Sequence, residues 1–284
     1  MKISIIIPAK NEAQSLITLI PEIQKMNPKA EIVVVNDGST DNTQQICEDA
    51  SVKVVNHPYS RGNGAAIKSG AHAATGDTFI FMDADGQHRP EDIKGLLDRF
   101  NEGYDMVVGA RGSESQASKA RLFGNGLYNR VASYMTGQKI VDLTSGFRVV
   151  NAEKFKQFLY LLPNGFSYPT TITMAFFRAG FGVTYEPIIA PERIGKSHIN
   201  LLKDGMRFFL IIFKIGTLYS PMKLFFPASL VFFLTGLFYY IYTFFTDGRF
   251  TNMGVLLFST SIMIFLLGLV SEQITALFYQ SRKE

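Results

Sequence analysis

Tryptophan is absent from this 284-residue chain, and cysteine occurs once, as Cys47. A single thiol excludes an intrachain disulfide and leaves a cysteine-based zinc site without a ligand set. Two phosphate-binding loops are also missing. No G-x-x-x-x-G-K-[ST] run occurs, and Gly62-x-Gly64 is followed by Ile67 where a dinucleotide fingerprint needs Gly or Ala. The net charge is only +4, and no basic array with interleaved aromatics accompanies it, which excludes nucleic acid as the expected partner. The N-terminus enters a strand at once, without the regions of a signal peptide, so the soluble part is expected to stay in the cytoplasm.

What is plentiful is apolar surface, 47% of residues, and it is unevenly spread. Residues 1–198 have the mixture of a soluble α/β domain, whereas residues 199–280 are dominated by Phe, Leu, Ile and Tyr. Leu224–Phe245 is an uncharged run of about 22 residues, which at about 1.5 Å per residue matches a hydrocarbon core of about 30 Å. Met253–Ser271 is a second run, and the polar Thr246–Asn252 between them reads as a tight turn. A two-helix hairpin over 223–284 is therefore expected. Lys214, Lys223, Arg282 and Lys283 flank its open end while Arg249 alone sits in the turn, which places both ends in the cytoplasm. Residues 199–222 mix apolar positions with Lys203, Arg207 and Lys214, the pattern of an amphipathic helix lying at a lipid surface. Glu272 reads either as a polar site or as the point where a span ends.

In the first 198 residues, apolar runs at Ile3–Ile7, Glu31–Val35, Val52–Val55, Thr78–Met82 and Asp105–Gly109 read as strands. Helical patterns at Glu12–Met26, Asp41–Ala50, Gly64–Ala74 and Pro90–Asn101 separate them. Continuous β-branched runs alternating with helices predict a mostly parallel sheet covered on both faces. Ligands of such sheets sit beyond the carboxyl ends of the strands. There the chain places Pro8-Ala9-Lys10-Asn11-Glu12, Asn36-Asp37-Gly38-Ser39-Thr40-Asp41 and Asp83-Ala84-Asp85-Gly86-Gln87-His88. A pyrophosphate without a glycine cradle needs its charge met by a cation. Asp83 and Asp85 offer hard oxygens for Mg²⁺ or Mn²⁺, and Gln87 a carbonyl. Asp41 is assigned to capping the helix that follows it, and His57 finds no partner in the pattern.

These three motifs in this order resemble the family 2 glycosyltransferases of the GT-A fold. With the C-terminal hairpin, they resemble in particular the dolichyl- and polyprenyl-phosphate sugar synthases. The resemblance implies inverting transfer of one sugar from a UDP- or GDP-sugar to a polyprenyl or dolichyl phosphate, at the cytoplasmic face of a membrane. Carried over, it implies a nucleoside site lined by Pro8, Asn11, Glu12 and Asp37, and Asp83, Asp85 and Gln87 on the metal and donor. It implies Arg111 near the reacting phosphates and Arg121 on the acceptor phosphate, although Asn125 stands where a small hydroxyl residue often follows. Arg193-Ile-Gly-Lys196-Ser197-His198 resembles the loop that closes over the donor, so that Asp85, Arg121 and Arg193 are assigned to catalysis. Ser145-Gly146-Phe147-Arg148 matches a further family signature. Surface arginines are the alternative reading of Arg111, Arg121 and Arg148. The absence of tryptophan removes the Gln-x-x-Arg-Trp motif of processive polysaccharide synthases. Transfer to a hydroxyl acceptor and an inactive, membrane-tethered nucleotide-binding scaffold remain the competing readings, and homo-oligomerisation is left open.

Overall fold

The computed structural model describes residues 1–112, 119–165, 167–189, 213–214 and 216–280, the side chains of 119–123, 125 and 278–280 excepted. Contacts divide the chain into two compact units. One is Met1–Ser133 with Gln138–His198; the other is Tyr134–Gly137 with Ile199–Glu284.

Among the described residues the first unit is built on seven strands: β1 (Ile3–Ala9), β2 (Glu31–Asp37), β3 (Lys53–His57), β4 (Thr78–Phe81), β5 (Met106–Arg111), β6 (Arg148–Asn151) and β7 (Val183–Ile188). They form one sheet in the order β3-β2-β1-β4-β6-β5-β7. Every neighbour pair is parallel except those made by β6, which runs antiparallel to both β4 and β5. Ile5, Ile6, Ile7, Val33, Val34 and Val35 are fully buried, as strands covered on both faces require. Helix α1 (Ala13–Met26) buries Leu16, Leu19, Ile20 and Ile23, the i, i+3, i+4, i+7 stripe of an amphipathic helix. Helix α3 (Asn63–Ala73) approaches the sheet so closely that a Cβ on Gly70 would stand 2.4 Å from the Ile6 side chain. Helices α2 (Thr43–Asp49) and α4 (Asp92–Phe100) follow β2 and β4.

The second half of this unit departs from simple alternation. Helix α5 (Lys119–Thr136) follows β5, and its last residues belong to the second unit. The chain then returns along β6 and continues through the short α6 (Ala152–Lys156) and α7 (Tyr168–Arg178) to β7. Because β6 is reversed, the segment leading into it lies at the same sheet edge as the carboxyl ends of β4 and β5.

The second unit holds helices α8 (Pro221–Asp247) and α9 (Asn252–Gln280), both longer than the apolar runs that announce them. Only 11% and 17% of their most apolar windows are buried within the chain, so they are not core helices of a soluble domain. Gly248, at φ +61, terminates α8 in the left-handed conformation of a C-cap. The helices pack antiparallel: Ser261 Oγ donates to the Ser229 carbonyl at 2.8 Å, and a Cβ on Gly236 would lie 3.1 Å from Leu257. Glu272 accepts from the backbone N–H of Met222 at 3.3 Å, in the first turn of α8. Lys223 Nζ donates to the carbonyls of Tyr134 and Met135, both at 3.0 Å, and Ser220 Oγ donates to the latter. The segment expected at a lipid surface falls largely on residues 199–212 and 215, outside the described residues.

Candidate active site

The loops after β1 and β2 are sewn together before any ligand arrives. Asn11, at φ +56, donates its N–H to Ser39 Oγ (2.9 Å) and accepts from the Thr40 N–H through Oδ1 (2.8 Å). The Glu12 N–H donates to Thr43 Oγ1 at 3.2 Å. Asp41 accepts from the N–H groups of Ala13 and Thr43, bridging the starts of α1 and α2. Half-buried Pro8 pairs in register with Val35 of β2, so both loops leave the sheet side by side.

Asp37, 5% exposed at the end of β2, is the hub of the next loop. Its Oδ1 bonds His57 Nδ1 (2.6 Å) and the Arg61 N–H (2.8 Å); its Oδ2 accepts from Ser60 Oγ (2.8 Å) and the Gly62 N–H (2.9 Å). Burial alone would raise this carboxyl, but the bonds from His57, Arg61, Gly62 and Ser60 outweigh it and hold the pKa at about 2. His57, partnerless in the sequence pattern, bonds Ser69 Oγ through its other nitrogen at 2.8 Å.

The aspartate pair follows β4. The backbone N–H of Asp83 donates to His88 Nδ1 at 2.9 Å, and the Gln87 N–H donates to Asp85 Oδ1 at 3.2 Å, closing a tight turn with Gly86 at φ +74. His88 is buried and stacks on Phe147 with centroids 4.9 Å apart. Accepting at Nδ1 fixes its neutral form with the proton on Nε2. Burial favours that neutral form by lowering the pKa, against the pull of the Asp83 and Asp85 carboxylates. The Asp83 side chain is 36% exposed, and on its other side Gly146 leaves the room it occupies: a Cβ there would meet Oδ2 at 2.8 Å.

Arg111, at the end of β5, is held by Asp142, with Nε to Oδ2 at 2.8 Å and Nη2 to Oδ1 at 3.0 Å, and by Thr144 Oγ1 at 2.7 Å. Asp142 also accepts from the N–H groups of Thr144 and Ser145. Burial would raise the Asp142 carboxyl, but Arg111 outweighs it and keeps the pair ionised. Sequence reasoning missed Asp142. Its signal was an Asp with Thr and Ser two and three positions later, which is Asx-turn chemistry. The surface alternative for Arg148 fails: it is fully buried.

The fold thus gathers Pro8, Asn11, Glu12, Asp37, Asp83, Asp85, Gln87 and Arg111 at the carboxyl edge of the sheet. Arg121 lies in α5 with its side chain outside the described part, and Arg193, Lys196, Ser197 and His198 lie outside the described residues altogether. Among the described residues no cluster of three or more His, Cys, Asp or Glu is poised for a metal. Two carboxylates at a strand end nonetheless fit a cation that keeps waters and takes phosphate oxygens, as Mg²⁺ and Mn²⁺ do. A cavity of about 430 Å³, lined by Gln24, Asn27, Glu31, Ser51 and Lys53 among others, opens at the amino ends of β2 and β3. That is the opposite sheet edge, far from this chemistry.

Known proteins resemble the chain in both units. The model of glycosyl transferase family 2 matches residues 4–159, and that of the GtrB C-terminal hairpin matches residues 220–277. The glycosyltransferase AglJ of Haloferax volcanii is 28% identical over 83% of this chain and 78% of its own. The polyprenol monophosphomannose synthase of Mycolicibacterium smegmatis is 28% identical over 66% of this chain and 77% of its own. Among solved structures, glucosyl-3-phosphoglycerate synthase from Mycobacterium tuberculosis, in complex with Mn²⁺, UDP and glucosyl-3-phosphoglycerate, superposes with a TM-score of 0.59. That match has 18% identity and covers 75% of this chain and 78% of the other.

Proposed function

The chain belongs to glycosyl transferase family 2, and from that membership we propose that it transfers one sugar from a nucleotide-sugar to a polyprenyl phosphate, with inversion, at the cytoplasmic face of a membrane. One observation carries the reading: the Asp83–Asp85 turn opens at the ligand edge of a family 2 fold whose own chain continues into two apolar helices of membrane-crossing length. The relatives named for polyprenyl and dolichyl phosphate acceptors support it. The basic residues at the open end of the hairpin support the orientation.

A phosphate monoester has a second pKa of about 6 and is largely a dianion at neutral pH, so it needs no strong general base. The protein's task is alignment and charge. Pro8, Asn11 and Glu12 line the nucleoside, on loops already braced by Ser39, Thr40 and Thr43. Asp37, with four hydrogen bonds filling its oxygens, serves the nucleoside by fixing the loop through Gly62. Asp83, Asp85 and Gln87 would hold Mg²⁺ or Mn²⁺, and that cation would supply charge to neutralise the donor's leaving diphosphate. The relative solved with Mn²⁺ and UDP supports that assignment. Arg111 brings a cation to the same edge, while Arg121, Arg193, Lys196, Ser197 and His198 are proposed to gather the two phosphorylated substrates.

The test is radiolabelled transfer from a panel of UDP- and GDP-sugars to polyprenyl phosphate in detergent, with Mn²⁺ or with a chelator. A metal-dependent, organic-extractable product lost in Asp85→Ala is expected. Donor turnover without labelled lipid would move the acceptor to a hydroxyl, and no turnover at all would leave the scaffold reading.

A further inference from the structure

We propose that Arg148 is a positioning residue for the Asp83 carboxylate, acting through the backbone of Ser145 and Gly146. The inference rests on the reading of Asp83 as a ligand of a divalent cation.

Arg148 opens β6 and none of its side chain reaches solvent. Among the described residues its guanidinium has only uncharged acceptors: Nη1 donates to the Pro169 carbonyl (3.2 Å), Thr173 Oγ1 (3.1 Å) and Met106 Sδ (3.7 Å), and Nη2 donates to the Ser145 carbonyl. Its Nε and the neighbouring Ser145 Oγ have no hydrogen-bond partner among the described residues. Burying a cation that has no ion-pair partner among the described residues costs desolvation that hydrogen bonds to neutral acceptors offset only in part, so it is a poor device for stability alone. The position demands another account.

The neighbours supply it. The guanidinium lies over the Tyr168 ring, 5.6 Å from its centroid, and Tyr168 Oη donates to the Gly146 carbonyl at 3.0 Å. Two adjacent carbonyls, of Ser145 and Gly146, are therefore gripped by two buried donors that stack on each other. The backbone they fix is the surface against which Asp83 rests, with space at Gly146 for a hydrogen and not for a methyl group. Asp83 is half-exposed on its outer side and has this wall on its inner side. A shift of the wall moves the carboxylate. Residues that orient metal-binding carboxylates typically change metal affinity by about 10–100-fold when removed.

The experiment measures Mn²⁺ binding by the loss of the free-ion EPR signal, without and with inorganic pyrophosphate, on the full-length chain in detergent. Wild type is compared with Arg148→Met, Arg148→Lys, Tyr168→Phe and Asp83→Ala, with a thermal midpoint for each and the split between kcat and the donor KM. Arg148→Met leaves the buried Ser145 carbonyl without this donor and is expected to lower the midpoint modestly, and to weaken Mn²⁺ at least about tenfold, with Arg148→Lys restoring part of it. Tyr168→Phe, which removes one grip only, should weaken Mn²⁺ by a smaller factor. Wild-type Mn²⁺ affinity in a folded Arg148→Met overturns the inference. Should that variant not fold, unchanged affinity in Tyr168→Phe overturns it instead. If wild type binds no Mn²⁺ that Asp83→Ala removes, the metal reading of Asp83 fails first and takes the inference with it.

Discussion

At Asp37, four donors converge on one carboxylate, and the consequence is measurable in acid. The folded carboxyl titrates at about 2, against 3.8 for the unfolded chain. A depressed pKa contributes stability that is fully present above the unfolded value and is lost as the pH falls through the folded one. The contribution is about 2 kcal/mol, lost between about pH 4 and pH 2. Asp37→Asn should remove a similar amount at pH 7 and flatten that acid-side loss, read as the midpoint of chemical unfolding against pH. Asp142 is a different case, because its partner is a charge. Replacing it with Ala leaves Arg111, whose side chain is 26% exposed, without its carboxylate. A fully buried pair broken in this way costs about 3–5 kcal/mol, and partial exposure lowers the expectation to about 2 kcal/mol. The double variant Asp142→Ala/Arg111→Ala should recover part of that loss in a double-mutant cycle.

Within the hairpin, the contact between α8 and α9 includes close approach at small residues, the bond from Ser261 Oγ to the Ser229 carbonyl, the bond from the Met222 N–H to Glu272, and edge-on phenylalanine pairs such as Phe226–Phe265 and Phe233–Phe258. Ser261→Ala removes the bond to the Ser229 carbonyl and should cost about 0.6 kcal/mol, whereas Gly236→Val, with Leu257 at 3.1 Å from the new Cβ, should separate the helices and cost more. Thermal shift in detergent ranks the two. Elements of this kind were easy to read: long apolar runs bounded by Asp247-Gly248 have few alternatives. The first five strands were equally legible, because a strand buried on both faces is a continuous β-branched run followed by a helix. What stayed hidden was the reversed β6, since four residues beginning with an arginine carry neither an apolar run nor an alternation. Strand β7 is an edge carrying Glu186 and Pro187, and the sequence of α5 carries Gly124, Asn125 and Gly126 in its first half, so both lack the usual periodic signal. In the site, the aspartate turn was visible because its residues are adjacent in sequence. The hold of Asp142 on Arg111 and of Arg148 on Ser145 was not, because burial and not spacing decides where an arginine points.

For the whole molecule, the apolar hairpin predicts that removing residues 199–284 moves the protein from the membrane fraction to the soluble one, checked by ultracentrifugation of lysates. Where the other unit can be cut is governed by the sheet. The match to the family 2 model ends at residue 159, but the strand beside β5 arrives only at Val183–Ile188, and two of the acceptors of Arg148 lie at Pro169 and Thr173. A fragment stopping at 159 would expose the outer edge of Met-Val-Val-Gly-Ala-Arg as a template for other chains and open the arginine's chamber to water. Such a fragment should pellet on expression, whereas one that continues past β7 should stay in solution. The stretch that the family model matches is shorter than the sheet it belongs to, so the portable unit for transplantation or library work is set by strand pairing and not by where that match stops.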